Sequence, residues 1–155
     1  MINLFKLFIG FNKSNIGGIH MELDSKKVVE RVKYWRKDEG KSCSQGTLMG
    51  IGEVAGLDLE ELELLASGFS GGIGATFEDG TCGGLTGAVM ALGLLGKDNA
   101  MIKSMSKDLF NAFKAEYGAV TCGEISDKGK DKSPCVELCL FSANEVCKLL
   151  KDYDV

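Results

Sequence analysis

The sequence predicts an all-α domain, and three features lead to that prediction. Apolar residues recur at the three- and four-residue spacing of a helix, and no stretch sustains the period-two alternation of a strand. Capping residues precede several of the apolar segments. The chain has 155 residues, 45% of them apolar, which is enough for one domain with a substantial core. We therefore expect a single-domain bundle of about six helices.

Capping residues mark the starts of the first three helices. Asp24, Ser42 and Asp58 each precede a segment with helical apolar spacing, and Ser42 has the capping-box partner Gln45 three residues later. The first helix is expected over residues 24–38, the second over 42–55, and a short third after Asp58. Two apolar faces follow from the spacing: Val28, Val32 and Trp35 in the first helix, and Leu59, Leu62 and Leu65 in the third.

Glycine separates the third helix from the fourth. Residues 67–74 are predicted as loop, because glycine there supplies backbone freedom rather than side chains. Thr81 is the predicted cap of an uncharged fourth helix, in which Gly83, Gly87 and Ala91 recur every four residues and form a stripe of small side chains. We expect this Gly/Ala-rich helix to be buried at the centre of the bundle. A subunit contact through the stripe, giving a homodimer, is the alternative.

Two further helices are predicted in the C-terminal part. Asp98 begins the fifth and Gly118 ends it. One face of this helix is apolar: Met101, Met105, Leu109 and Phe113. Residues 119–134 are expected to form an irregular, polar connection. The last helix begins at Ser133 and Pro134 and carries Cys135 in its first turn.

Charge and hydropathy exclude several classes of function. A net charge of −4 argues against nucleic acid as a partner. The uncharged segment 80–96 is too short and too rich in glycine to span a membrane. The apolar start is interrupted by Lys6 and has no cleavage site, so we expect a cytoplasmic protein. Residues 1–23 are predicted to be an N-terminal extension, with Met21 a candidate alternative start, and residues 24–155 the domain.

The six cysteines are the most informative residues for function. Four of them lie beside helix-start or turn signals: Cys43, Cys82, Cys122 and Cys135. A thiol at a helix N-terminus meets free backbone N–H groups and the positive end of the macrodipole, which stabilise its thiolate. In a reducing compartment such residues are metal ligands, catalytic thiols or small buried hydrophobes rather than structural disulfides.

These cysteines and glycines also form a recognisable pattern. Cys43 in segment 42–46 is followed by the glycine-rich segment 66–74, by the motif Cys82-Gly83-Gly84-Leu85-Thr86-Gly87, and then by Cys122 and Cys135. The pattern resembles the C-GCAxxG-C-C family of redox-active proteins, over roughly residues 28–150. The family's central motif, Cys-Gly-Ala-x-x-Gly, is similar to 82–87 here, with Gly84 in place of the usual alanine.

The resemblance implies a redox role, and two chemistries suit four cysteines. A related domain occurs in split-Soret cytochromes, where cysteines of this type accompany an iron–sulfur centre. In the first hypothesis Cys43, Cys82, Cys122 and Cys135 bind such a centre, [2Fe–2S] or [4Fe–4S], and pass electrons to a redox partner protein. Zinc suits the same ligands, but the chain lacks paired Cys-x-x-Cys knuckles. The spacing of the four cysteines matches no compact ferredoxin motif.

The second hypothesis needs no metal. Low-pKa thiols, Cys43 and Cys82 first among them, would act as catalytic residues and cycle through a disulfide with another protein or a small thiol. The protein would then be a thiol–disulfide oxidoreductase rather than an electron carrier. A third hypothesis is a non-enzymatic helical interaction module whose six cysteines are all core residues.

Other cofactors and catalytic groups find little support in the sequence. Covalent haem is not expected, because Cys-x-x-Cys-His is absent and His20, the one histidine, lies in the N-terminal extension. No phosphate-binding loop is present, so no nucleotide is expected. Four carboxylates fall on charged helix faces and are predicted to be solvated: Glu53, Glu60, Glu61 and Glu63.

Two cysteines lie outside the family's four positions. On a helix, Cys139 lies about 40° around the axis from Cys135, whereas Cys147 lies about 120° away. Both are expected to be buried small hydrophobes. Cys139 is the one with the geometry to replace Cys135 as a ligand or to act as its resolving thiol.

Overall fold

A computed structural model describes residues 22–155, and within them the chain forms seven helices and no strand. The helices are α1 (Ser25–Lys37), α2 (Cys43–Val54), α3 (Leu59–Ser67), α4 (Gly83–Leu95), α5 (Asn99–Tyr117), α6 (Cys122–Ile125) and α7 (Cys135–Asp152). The all-α, single-domain prediction is confirmed. The predicted extension, including His20, lies outside the described residues except for its last two positions.

The predicted caps begin the helices as expected. The Asp24 carboxylate accepts hydrogen bonds from two backbone N–H groups of α1, the nearer at 3.0 Å. Ser42 and Gln45 form the complete capping box at the start of α2. Asp58 and Asp98 cap α3 and α5 in the same way. These contacts satisfy N–H groups that the first turn of a helix leaves free, so short local sequences set the helix starts.

Helix α4 is the centre of the bundle. It contacts α2, α5 and α7, and most of its residues are buried. Gly83 and Gly87 both face α2, where an added Cβ would lie 3.0 Å from the Ser44 nitrogen and 2.5 Å from the Ser44 carbonyl oxygen respectively. The small-residue stripe is therefore a close contact between two helices of one chain, as expected for a buried central helix. Helix α1 lies on the outside of α2 and α7.

The glycine-rich segment before α4 is a loop, as predicted. Gly71, Gly72 and Gly74 have φ values of 57°, 84° and 56°, a region that other residues adopt only with strain. An added Cβ at Gly72 would also lie 3.1 Å from the Gly80 backbone. The loop thus folds back onto the segment that leads into α4.

Three details of the prediction were wrong. Residues 119–134 are not wholly irregular, because they contain the short helix α6, which Thr121 caps by accepting from the Glu124 N–H at 3.3 Å. The N-cap of α4 is Cys82 rather than Thr81, since Thr81 is held in a β-bridge with Thr121. Helix α7 begins at Cys135, with Pro134 as its N-cap.

Two predictions about side-chain exposure were also wrong. In α3 the buried pair is Leu62 and Ala66, while Leu65 is 50% exposed. Glu53 is not a freely solvated carboxylate. It accepts hydrogen bonds from Arg31 Nε at 2.8 Å and Trp35 Nε1 at 2.7 Å, and so ties α2 to α1.

The described helices include none that is both long and apolar enough to cross a membrane.

Candidate functional site

The four cysteines of the motif all lie at helix starts. Cys43, Cys122 and Cys135 are the first residues of α2, α6 and α7, and Cys82 is the N-cap of α4. All four residues therefore lie where a helix leaves backbone N–H groups without an internal partner. The N–H groups of Leu85 and Gly84 favour the thiolate of Cys82, and the N–H of Cys43 favours its own thiolate.

A short backbone pairing brings Cys82 and Cys122 together. The Cys82 N–H donates to the Val120 carbonyl at 2.8 Å, and the Cys122 N–H donates to the Gly80 carbonyl at 2.7 Å. Both thiols are buried, at 4% and 9% exposure. Their side chains are close enough to interact electrostatically, and Cys82 interacts in the same way with Cys43. The two halves of the motif thus meet in one region of the molecule.

Cys43 meets helix α7. Its sulfur interacts with the thiols of Cys135 and Cys139, which lie one turn apart on α7, and the Cys139 S–H donates to the Cys43 carbonyl oxygen at 3.7 Å. The two thiols, aided by the positive charge of Arg36, lower the pKa of Cys43 to about 3 against the opposing effect of burial. Cys43 and Cys135 are half-buried, whereas Cys139 is fully buried. The surroundings of Cys43 therefore favour its thiolate.

The pKa values of Cys135 and Cys139 shift in the opposite direction from that of Cys43. Hydrogen bonding to the Cys43 thiolate, followed by burial, raises the pKa of Cys135 and of Cys139. Burial also raises the pKa of Cys82 to about 11, although the N–H groups of Leu85 and Gly84 favour its thiolate. Within the cluster Cys43, Cys82, Cys135 and Cys139, the thiolate form is thus favoured on Cys43 and disfavoured on the other three.

Glycines allow this close assembly. A Cβ on Gly83 would lie 3.1 Å from the Cβ of Cys43, and a Cβ on Gly72 would lie 3.3 Å from the Cβ of Cys122. Both distances are shorter than ordinary carbon contacts. The glycines around Cys82 therefore leave room for neighbouring cysteines as well as for helix α2.

Arg36 is a residue of the site that the sequence analysis missed. Its guanidinium donates to the Lys41 carbonyl and acts electrostatically on Cys43, Cys135 and Cys139. Its side chain crosses the first turn of α2 at Gly46, where an added Cβ would lie 2.5 Å from Arg36 Cδ. A glycine three residues after Cys43 was the available signal, but nothing in the sequence connected it with an arginine on α1.

Cys147 lies elsewhere. It is twelve residues along α7 from Cys135, about 18 Å at the helical rise. It lines a cavity of about 660 Å³ with Leu23, Ser25 and Lys151, and burial raises its pKa to about 11. Its surroundings are those of a core residue near the start of α1.

Among residues 22–155, no group of three or more His, Cys, Asp or Glu side chains stands in an arrangement ready to hold a metal ion. The ligand set Cys43, Cys82, Cys122 and Cys135 stays a prediction. The donor chemistry itself suits iron–sulfur or other thiophilic metals, because these thiols are accompanied by no histidine or carboxylate in the interactions described above.

Comparison with known proteins identifies the family of this chain. No curated protein and no solved structure is a significant match to it. The family model described as "Putative redox-active protein (C_GCAxxG_C_C)" matches residues 41–152, which is well over half of the sequence and includes all six cysteines. The chain therefore belongs to the C_GCAxxG_C_C family of redox-active proteins.

Proposed function

We propose that this protein is a thiol–disulfide redox protein in which Cys43 is the nucleophile and Cys135 the resolving thiol. One observation carries the proposal: Cys43 begins α2, and the thiols of Cys135 and Cys139 on α7 lie close enough to it to favour its thiolate. A nucleophilic thiolate in contact with a second thiol is the minimum that disulfide exchange requires. Both residues are half-buried, whereas Cys82, Cys122 and Cys139 are buried.

The first step forms a mixed disulfide. The Cys43 thiolate attacks one sulfur of a substrate disulfide R–S–S–R, a bond forms between Cys43 Sγ and that sulfur, and R–S⁻ leaves. A thiolate is already present at neutral pH, because the pKa of Cys43 is lowered to about 3. No separate general base is needed for this step.

The second step releases the substrate. Once Cys43 is in a mixed disulfide, it no longer carries the charge that raises the pKa of Cys135. Cys135 then gives its proton to the departing thiolate, and its sulfur attacks Cys43 Sγ. The second R–SH leaves, and a Cys43–Cys135 disulfide remains. Two electrons have passed from the two cysteine sulfurs to the substrate disulfide, and the reverse sequence oxidises a dithiol.

The test is a thiol count in defined redox buffers. Protein freed of metal by a chelator is equilibrated with glutathione buffers between roughly −300 and −150 mV. Free thiols are then counted after denaturation and disulfides are mapped by peptide mass spectrometry. We expect two of the six thiols to be lost, with Cys43 in the bridged peptide. Cys147→Ala is the matched control and should lose two thiols as well. Loss of two thiols in Cys43→Ser would contradict the proposal.

An iron–sulfur centre is the second candidate function. One observation favours it: Cys82 and Cys122 lie in the same region as Cys43 and Cys135, and two-thiol exchange does not need them. The residues that would hold the centre are Cys43, Cys82, Cys122 and Cys135. The centre would supply one-electron transfer, while the four helix starts would donate N–H groups toward its sulfur ligands.

Anaerobic purification separates the two candidates. An iron–sulfur protein should show visible charge-transfer absorption together with iron and acid-labile sulfide, and replacement of any of the four cysteines by Ser should sharply lower its iron content. Unchanged iron in two or more of those variants would reject the cluster. Protein that contains no iron under these conditions, yet loses two thiols in the redox buffers, would support disulfide exchange.

A further inference from the structure

Helix α7 presents a second thiol to Cys43. Cys139 follows Cys135 by one turn, its side chain is 0% exposed, and its Sγ lies 3.7 Å from the Cys43 carbonyl oxygen. This S–H group donates to the Cys43 carbonyl, and the thiol also acts on the Cys43 sulfur. Cys139 is buried, as expected, but it also lies against the nucleophile.

The space that Cys139 occupies depends on Gly84. A Cβ on residue 84 would lie 3.2 Å from Cys139 Sγ and 3.4 Å from its backbone nitrogen and Cα. Alanine at this position would press on the sulfur, whereas glycine leaves it free. In this chain Gly84 stands where the family motif has alanine, and the space beside it holds Cys139, a fifth thiol at the site.

A buried hydroxyl without a partner also lies near this sulfur. Thr47 Oγ1 is buried and has no hydrogen-bond partner among the described residues, and it acts electrostatically on Cys139. A hydroxyl can donate to a sulfur atom. Thr47 is therefore an unused donor in the neighbourhood of Cys139.

We propose that Cys139 is a second resolving thiol, so that the protein forms an inner Cys43–Cys139 disulfide as an alternative to the outer Cys43–Cys135 disulfide. The proposal rests on the role of Cys43 as nucleophile. Starting from the mixed disulfide, Cys139 gives its proton to the leaving thiolate and its sulfur attacks Cys43 Sγ. The bond from Cys43 to the substrate sulfur breaks, R–SH leaves, and the sulfurs of Cys43 and Cys139 are oxidised together.

The two disulfides differ in accessibility. Cys43 and Cys135 are both half-buried, so neither sulfur of the outer disulfide lies fully inside the core. Cys139 is fully buried, so reduction of the inner disulfide has to begin at Cys43. The inner disulfide is therefore the more protected oxidised form. The two disulfides interconvert when the free thiol, Cys135 or Cys139, attacks Cys43 Sγ and displaces the sulfur bonded there.

Disulfide mapping in Cys135→Ala tests the proposal. After oxidation with glutathione disulfide, this variant should still lose two thiols, with Cys43 and Cys139 in one bridged peptide. Cys135→Ala/Cys139→Ala should stop at a glutathione adduct on Cys43. Adding Gly84→Ala to Cys135→Ala should lower the yield of the inner disulfide several-fold, while Gly93→Ala, on the same helix with open space around it, should not.

The outcomes distinguish the two proposals. A glutathione adduct on Cys43 in Cys135→Ala, with no bridge to Cys139, would overturn the inner disulfide and leave Cys43 as the nucleophile. A Cys43 that forms neither adduct nor bridge in the unmodified protein would overturn the proposed function, and the inner disulfide with it. Circular dichroism and urea unfolding of each variant identify any loss of disulfide that comes from misfolding.

Discussion

Substitution of Gly87 by alanine should destabilise the protein and disturb the site from a distance. A Cβ added at position 87 would lie 2.5 Å from the Ser44 carbonyl oxygen and 3.2 Å from Ser44 Cα and Thr47 Cβ. An ordinary contact begins at 3.4 Å, so helices α2 and α4 must separate locally by nearly 1 Å. Overpacking of this kind costs about 1–3 kcal/mol. Alanine offsets about 0.5–1 kcal/mol of this cost through its higher helix propensity, so the expected net loss is about 0–2.5 kcal/mol.

Urea denaturation followed by far-UV circular dichroism measures this loss, and Gly93→Ala provides the matched control. Gly93 lies on the same helix, but an added Cβ there would have no neighbour within 4 Å. Only the propensity effect remains, so Gly93→Ala should stabilise the protein by about 0.5–1 kcal/mol. The two substitutions are chemically identical, and their difference isolates the contact with α2.

The site supplies a second measurement. Ser44 follows Cys43 directly, so a displaced Ser44 carbonyl shifts Cys43 relative to the thiols of Cys135 and Cys139 on α7. Alkylation of Cys43 by iodoacetamide should change rate in Gly87→Ala and stay constant in Gly93→Ala. The reasoning fails if Gly87→Ala is as stable as Gly93→Ala, because the helices would then have room for the methyl group.

Two further predictions concern charge. The free energy of unfolding should fall between about pH 9 and pH 11, because the Cys82 thiol ionises near pH 9 when unfolded but stays protonated to about pH 11 in the buried site. The contribution of Cys82 to stability is complete below about pH 9 and is lost as the pH rises to about 11, and the loss is at most about 3 kcal/mol. Urea unfolding at pH 8 and at pH 10.5 should therefore show a smaller loss in Cys82→Ala than in the unmodified protein. Equal losses in both proteins would contradict this reasoning. Arg36→Gln should raise the pKa of Cys43 and slow its alkylation at pH values close to that pKa, near pH 3, with partial recovery in Arg36→Lys, since the positive charge favours the thiolate. The pH dependence of thiolate absorbance at 240 nm measures the shift directly, and an unchanged profile would rule out a role for Arg36.

The helix starts could be predicted because they depend on a few neighbouring residues. Asp24 and Ser42 satisfy free N–H groups within their own first turn, so the sequence pattern and the physical cause coincide. The same logic applies to α6, whose Thr121 and Glu124 have the capping-box spacing. That helix was missed because its four residues carry no apolar repeat from which to recognise it.

The composition of the site could be predicted only in part. The local sequence indicated that Cys43 and Cys135 lie at helix starts, but not that they face each other. Their contact depends on how α2 and α7 cross the central helix, which is a matter of long-range contacts. The roles of Arg36 and Cys139 depend on the same helix crossings, because Arg36 occupies the space above Gly46 and Cys139 the space beside Gly84.

The charge of the cluster links the two candidate functions. Burial of a thiolate is costly unless hydrogen bonds or an opposite charge offset it. Cys43 has both, in the neighbouring thiols and Arg36, whereas the pKa values of Cys82, Cys135 and Cys139 are raised. Among these four cysteines the protein therefore favours the thiolate on Cys43, and a single thiolate is what disulfide exchange uses. Four thiolate ligands would bring three more negative charges into the same region, and only the positive charge of a bound metal centre would make that state stable. Disulfide exchange therefore needs nothing beyond the residues present, whereas the iron–sulfur function requires the centre itself to set the protonation of its ligands.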